Sequence, residues 1–246
     1  MADTSLILDG KGGILVPGAT SGDDILTGGS SKPETFHIEG TETGNDTLSN
    51  FGKNDLLVVD VKIFDSNKDG IIEFGKNGVL DLDGPDASLD TITFTNDVSA
   101  LRYLGTDGNG HFAYADASVR LAGFREGWLS NDVLTGQAKA ENFFYDTALD
   151  VNWGQDTIRK FGADDRLVTT SKIFDGNGDN IINFDKNGKL DLSGSVELGH
   201  AGNQHQASPW GQVTIYDTSN TKVTELAYLS HETVNGVDYY YYGLVA

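Results

Sequence analysis

The chain alternates short apolar runs with polar, glycine-rich stretches, and almost none of the apolar runs is long enough for a helix. Thr91–Phe94 and Gln212–Tyr216 alternate or are β-branched, as half-buried strands are. Val98–Tyr103 is the one short helix candidate. The pattern therefore predicts a mostly β fold built from many short strands.

Turn sequences separate these predicted strands. Leu101–Leu104 and His111–Tyr114 flank Asp107-Gly108-Asn109-Gly110, whose residue types tolerate positive φ, so a β-hairpin is predicted here. The 31 glycines and only 4 prolines of the 246-residue chain agree with many tight turns of this kind.

Two stretches of the chain are copies of each other. Residues 44–84 and 154–194 align without a gap at an offset of 110, and 24 of the 41 aligned positions are identical. Asp24–Gly28 matches Asp132–Gly136 more loosely. We therefore predict a tandem duplication of a β-rich unit.

The predicted units are residues 1–126 and 127–246, with the junction near Phe124–Leu129. The second unit gains an inserted loop near 198–210. No linker-like stretch divides the halves, so two separable domains and one domain with internal pseudosymmetry both stay open.

The net charge of the chain limits the classes of partner that it can bind. The 37 Asp and Glu outnumber the 17 Lys and Arg, which gives a net charge of −20 and a pI near 4.3. No basic patch is available to neutralise phosphates, so nucleic acid is excluded as a partner. Many of the acids lie in loops rich in Gly and Asn, a pattern that favours bound cations.

Cysteine is absent, so there is no disulfide and no thiolate metal site. The first nine residues lack the basic region and the apolar run of a signal peptide. No apolar run approaches 18 residues, so no membrane span is expected.

The sharpest motif places oxygen-bearing side chains at alternate positions of a short loop. Oxygens at positions 1, 3 and 5, a residue that tolerates positive φ at position 6 and a carbonyl at position 7 can surround one hard cation. The predicted calcium ligands are Asp65, Asn67, Asp69, Ile71 and Glu73 in the first copy and Asp175, Asn177, Asp179, Ile181 and Asn183 in the second. Ile72 and Ile182 are expected to be buried and to anchor the loops.

These loops resemble the calcium loop of EF-hands, with one departure. Position 12, which is a bidentate Glu in that family, is occupied by Lys76 and Lys186. The flanking sequence is not helical, so we expect EF-like loops in a β context. Asp81 and Asp191, or Asp83 and Asp185, are the alternatives for the missing carboxylate.

A second set of motifs lies upstream of each loop. Ser21–Gly28 and Gly44–Phe51, with Asp55-Leu56-Leu57 after them, resemble the repeats-in-toxin (RTX, hemolysin-type) calcium-binding family. That resemblance implies short β-roll-like rungs, with calcium held between stacked turns by Asp24 and Asp46 and, in the second copy, by Asp132 and Asp156. The chain has no run of consecutive nonapeptides, so only one or two rungs are expected in each half.

The resemblance also implies secretion by a type I system of a Gram-negative bacterium and folding on calcium outside the cell. On this interpretation the chain is an extracellular binding or structural module, whose further ligand is a carbohydrate, a small molecule or a protein. The alternative is a small calcium-stabilised enzyme, a lyase, cyclase or hydrolase, with its pocket between the halves. The acid–base candidates of that enzyme are His200 and His205, and Tyr239–Tyr242 is a candidate aromatic binding strand.

Overall fold

A computed structural model describes residues 14–19, 21–29, 33–40, 44–75, 77–82, 90–192 and 211–245. The chain divides into two compact units, Met1–Val119 and Arg120–Ala246. The sequence prediction placed the boundary at 126/127. Phe124–Glu126, which precedes that position, forms a strand that pairs with Asn142–Tyr145 of the second unit.

Each unit contains ten strands among its described residues. The strands of the first unit are β1 (Ile14–Ala19), β2 (Ile25–Thr27), β3 (Glu34–Ile38), β4 (Asn45–Ser49), β5 (Leu56–Val59), β6 (Ile71–Glu73), β7 (Val79–Asp81), β8 (Thr91–Phe94), β9 (Ala100–Thr106) and β10 (Phe112–Asp116). Those of the second unit are β11 (Phe124–Glu126), β12 (Val133–Thr135), β13 (Asn142–Tyr145), β14 (Gln155–Phe161), β15 (Arg166–Thr169), β16 (Ile181–Asn183), β17 (Leu190–Asp191), β18 (Gln212–Asp217), β19 (Glu225–Val234) and β20 (Val237–Leu244). Two 3₁₀ turns, Ala117–Val119 and Thr147–Leu149, are the helical segments within the described part of the chain. The predicted mostly β fold is confirmed.

The first five strands of the first unit alternate between two sheets. One sheet has the order β1-β3-β5-β10-β9-β6 and the other β2-β4-β8-β7. The pairs β1–β3, β3–β5, β2–β4 and β4–β8 are parallel. The chain therefore winds as a short two-sheet coil before antiparallel strands complete both sheets.

The second unit has the same topology. Adding ten to each strand number gives its sheet orders, β11-β13-β15-β20-β19-β16 and β12-β14-β18-β17. The parallel and antiparallel pairs also correspond, for example β10–β5 with β20–β15. Each aligned residue can therefore be compared at an equivalent place in the two units.

Alternation of side chains along the strands places the core between the two sheets. In β3, Phe36 and Ile38 belong to this core, and His37 between them points to the opposite face of the sheet. Leu26 and Leu48 fill the core from the facing sheet. Along each strand of the coil, only every second side chain faces the core and has to be apolar.

The helix predicted over Val98–Tyr103 is wrong, because residues 100–106 form β9. This strand lies between β10 and β6 and pairs with both. Sheet pairing on two sides satisfies its backbone groups and overrides the weak local pattern. The predicted hairpin is confirmed, since β9 and β10 are antiparallel on either side of Asp107–Gly110. No helix among the described residues has the length and apolarity needed to cross a membrane.

Candidate metal centres

The two EF-like loops have the same backbone conformation. Asp65 accepts hydrogen bonds from the N–H groups of Lys68 (2.8 Å) and Gly70 (2.9 Å), so its carboxylate closes the loop. Asn67 and Asp69 accept the N–H groups of Asp69 (3.1 Å) and Ile71 (2.8 Å). The polar side chains at positions 1, 3 and 5 thus lie on the inside of one tight turn.

The second loop repeats this arrangement. Asp175 accepts from Gly178 (2.9 Å) and Asn180 (2.8 Å), and Asp179 accepts from Ile181 (2.8 Å). Asn180 has φ +65°, the left-handed conformation expected for position 6, where the first loop has Gly70 at φ +80°. Ile182 is buried behind the loop, as Ile72 is behind the first.

The first loop opens into a cavity of about 400 Å³. Asp65, Asn67, Glu73 and Asp81 line it, so Asp81, one alternative for the missing position-12 carboxylate, lies on the same cavity as the loop. In the second unit, Asp185 closes its own turn by accepting from Asn187 and Lys189, both at 2.8 Å. Asp83 lies outside the described residues, and Asp191 is buried on β17.

Carboxylates also join successive turns of each coil. Asp46 accepts the N–H of Asp24 (2.9 Å), and in the second unit Asp156 accepts the N–H of Asp132 (2.8 Å). Asp165 binds the N–H of Glu141 in the same way. Of the carboxylates named from the RTX resemblance, Asp46 and Asp156 each therefore use Oδ1 to join two turns, and their Oδ2 atoms have different surroundings in the two units.

Three other carboxylates, those of Asp23, Asp24 and Asp90, lie near Asp46, and the four are here called the carboxylate cluster. Asp46 is only 1% exposed, and no donor among the described residues reaches its Oδ2. Burial, together with the charges of Asp24, Asp23 and Asp90, raises the pKa of Asp46 above its usual value. Asp23 accepts the N–H of Asn45 (2.8 Å), and Asp90 accepts that of Gly44 (3.1 Å). A buried oxygen without a donor, among like charges, is an arrangement that a bound cation would satisfy.

The equivalent position of the second unit is built differently. Tyr145 donates its hydroxyl hydrogen to Asp156 Oδ2 at 2.8 Å, where the first unit has the apolar Ile38. Asn131 replaces Asp23, since it binds the N–H of Gln155 as Asp23 binds that of Asn45. Gly211 replaces Asp90 immediately before the paired strand. Two carboxylates and a tyrosine therefore stand where the first unit has four carboxylates.

The ionisation of Asp156 should affect the stability of the second unit. Burial is the largest cause that raises the pKa of Asp156, to about 7, against the lowering effect of its hydrogen bonds to Asp132 and Tyr145. The folded state holds a proton on Asp156 that the unfolded chain releases near pH 4. The free energy of unfolding should therefore fall as pH rises from about 4 to about 7, by at most about 1.4 kcal/mol per pH unit.

Urea unfolding in chelator, followed by tryptophan fluorescence, measures this slope because Trp128, Trp153 and Trp210 all lie in the second unit. Asp156→Asn should remove the decrease between pH 4 and 7. The exposed Asp164→Asn is the control and should retain it. An equal slope in Asp156→Asn and in the wild type would contradict the assignment.

Sequence reasoning did not name Asp23 or Asp90 as ligands. Asp23 directly precedes Asp24, but Asp90 is far away along the chain and reaches the cluster only because β8 pairs with β4. His200, His205 and Trp210 lie outside the described residues. In the aromatic strand, Tyr239 and Tyr242 are fully buried and Tyr240 and Tyr241 partly so, because both faces of β20 are covered.

No protein-family model, curated protein or solved structure matches the chain.

Proposed function

We propose that this protein is an extracellular calcium-binding module, RTX-like in its coiled units, whose folding depends on calcium. The observation that carries the proposal is the buried Asp46 Oδ2 within the carboxylate cluster, since no described donor satisfies this oxygen. A cation bound there would balance the negative charges of the four aspartates of the cluster. The first unit is therefore the main calcium-dependent part of the chain.

The donor set fits calcium better than other common ions. All four members of the cluster offer carboxylate oxygens, and Ca²⁺ takes six to eight oxygen ligands in flexible geometry. Histidine and cysteine, which favour zinc, are absent from the cluster. Asp46 would bind the ion through Oδ2, Asp23, Asp24 and Asp90 would supply the surrounding negative charge, and further ligands would be backbone carbonyls or water.

The EF-like loops are proposed as additional calcium sites of unequal affinity. The first loop combines Asp65, Asp69 and Glu73 with a cavity that Asp81 also lines. The second has Asn183 in place of Glu73, so it offers one carboxylate fewer. Because charge count tunes calcium affinity, the first loop should bind more tightly.

Extracellular calcium dependence agrees with the strongly acidic composition. Without cations, the net charge of −20 opposes folding by self-repulsion. We therefore propose type I secretion, with the chain folding when it meets calcium outside the cell. The alternative, a small calcium-stabilised enzyme, depends on the His200–His205 loop, which lies outside the described residues.

The substitution Asp46→Asn gives the decisive test, because its effect should change sign with calcium. Asn keeps the Oδ1 acceptor for the Asp24 N–H but removes the buried charge. At about 4 Å a like-charge pair costs on the order of 1–4 kcal/mol. In chelator, Asp46→Asn should therefore melt at a higher temperature than the wild type. In saturating calcium it should melt at a lower temperature than the wild type, because the variant loses the ion. A bound ion stabilises the folded state by about 2.7 kcal/mol when the free calcium concentration is 100 times the Kd of the site.

Thermal unfolding by circular dichroism, with calcium and with chelator, measures both effects, and magnesium serves as the ion control. Asp156→Asn is the matched variant, and it should show no change of sign because Tyr145 already satisfies that carboxylate. A calcium titration of Asp46→Asn should count one ion fewer than the wild type. A melting temperature that is the same in calcium and in chelator would rule out the proposal.

A further inference from the structure

Two histidines and an aspartate that are distant in sequence meet at one edge of the first unit. His37 lies on β3, Asp60 follows β5 and His111 precedes β10, and these three strands are neighbours in the six-stranded sheet. Asp60 Oδ1 is 3.0 Å from His37 Nε2 and 3.7 Å from His111 Nε2. The ligand atoms of this histidine cluster all lie within 4.8 Å of one another.

Each member of the histidine cluster is also held at its other polar atom. His111 Nδ1 is 2.8 Å from Asp107 Oδ2, and His37 Nδ1 is 3.5 Å from Glu39 Oε1. Asp60 Oδ2 accepts the N–H of Gly40 at 2.8 Å. The hydrogen bond to Asp107 orients His111 so that its Nε2 faces Asp60, as the outer partner of a metal-bound histidine does, and Glu39 places a second carboxylate behind His37.

The second unit has aromatic side chains where the first unit has the two histidines. Val58 pairs with His37 and the aligned Val168 pairs with Phe144, so Phe144 takes the place of His37. By the same argument from β10 and β20, Tyr239 takes the place of His111.

The two aromatic rings lie against each other at 6.2 Å, and the two imidazoles lie at 5.3 Å. Thr170 occupies the position of Asp60. The Thr170 hydroxyl accepts the N–H of Ala148 at 2.8 Å, as Asp60 accepts that of Gly40, so the fold uses an oxygen at this position. It does not require the two imidazoles, which need another explanation.

We propose that His37, Asp60 and His111 bind a divalent transition-metal ion of the Zn²⁺ class, at a site distinct from the calcium sites. Two imidazole nitrogens and one carboxylate oxygen form a three-ligand set that suits zinc and disfavours calcium, which takes oxygen ligands. Asp60 exposes 35% of its side chain, so solvent reaches the site from one side. A metal held by three protein ligands keeps its fourth position for water or for an exogenous ligand.

Zinc binding is measured on the full chain in excess calcium, so that the oxygen sites are filled. The starting protein carries His200→Gln and His205→Gln, which removes the other histidine pair of the sequence. We expect one Zn²⁺ per chain, and Co²⁺ in its place should give the visible absorption of a four-coordinate site. Asp60→Asn and His111→Gln should each weaken binding by about 100-fold or more, since each removes one of three ligands. Asp107→Asn should weaken it by about 10-fold, because Asp107 only positions His111.

His231→Gln is the matched control, because His231 also lies 3.0 Å from a carboxylate, Asp238, but has no second imidazole there. This variant should bind zinc as the starting protein does. Asp60 and His111 are partly exposed, and circular dichroism of their variants verifies that the fold is intact. The assignment would be overturned by a folded chain that binds no zinc, by full affinity in His111→Gln, or by loss of binding in His231→Gln.

Discussion

Replacing Gly154 by alanine is expected to lower the free energy of unfolding of the second unit by at least about 3 kcal/mol. Gly154 directly precedes β14 and has φ +81°, and a Cβ there would lie 2.6 Å from Ser130 O and 2.8 Å from Ser130 C. These are backbone atoms of the preceding turn of the coil, so no side-chain rotation relieves the contact. The cost combines about 1–2 kcal/mol for the left-handed conformation with the cost of forcing two turns apart.

Gly178→Ala separates these two contributions. Gly178 has φ +73°, but a Cβ there meets nothing within 4 Å. It should therefore cost only about 1–2 kcal/mol. Urea unfolding followed by tryptophan fluorescence measures both variants, since all three tryptophans lie in the second unit. Equal losses in the two variants would show that the turns of the coil do not approach each other closely at Gly154.

Asp165→Ala is expected to lower the same free energy by about 3 kcal/mol. Asp165 is 2% exposed, and its two oxygens accept the N–H groups of Glu141 (2.9 Å) and Gly162 (2.8 Å). Alanine would leave both donors without this acceptor, and a buried unsatisfied donor costs about 1–3 kcal/mol. The hydrogen bond to Glu141 joins two turns of the coil, so its loss should also weaken the contact between these turns.

Asp164→Ala is the adjacent control. It removes the same charge one residue earlier, from an exposed position, and should change the free energy of unfolding by at most about 0.5 kcal/mol. The same urea experiment compares the two variants at one pH. Should Asp164→Ala destabilise as much as Asp165→Ala, net charge rather than the hydrogen bonds would explain the effect.

The hydrogen bonds of Asp165 show that acidic residues of this chain have a structural role that composition alone does not reveal. Counted as charges, they suggest only self-repulsion or bound cations. In the structure, Asp55 and Asp165 each accept an N–H from the preceding turn of the coil, and Asp46 and Asp156 do so as well. These four carboxylates accept backbone N–H groups and so join one turn of the coil to the next. Of the four, only Asp46 retains a buried oxygen with no described donor.

Local sequence determined much of what the structure shows. The mostly β fold, the strands at Thr91–Phe94 and Gln212–Asp217, and the Asp107–Gly110 hairpin follow from alternation and from turn residues within a few positions of one another. The left-handed conformation of Asn180 and the burial of Ile72 and Ile182 could also be predicted, because hydrogen bonds between neighbouring residues set the conformation of the loop.

Tertiary structure decided which of the candidate ligands lie close together. Asp90 joins Asp46 only through the pairing of β8 with β4, and His37, Asp60 and His111 meet only because β3, β5 and β10 are adjacent. The intervening chain lengths follow no short period, so no spacing in the sequence links these groups. The difference between Asp46 and Asp156 is of the same kind, since it depends on whether Ile38 or Tyr145 lies beneath the carboxylate. Pairing between strands that are distant in sequence sets these contacts, and local propensity does not contain that information.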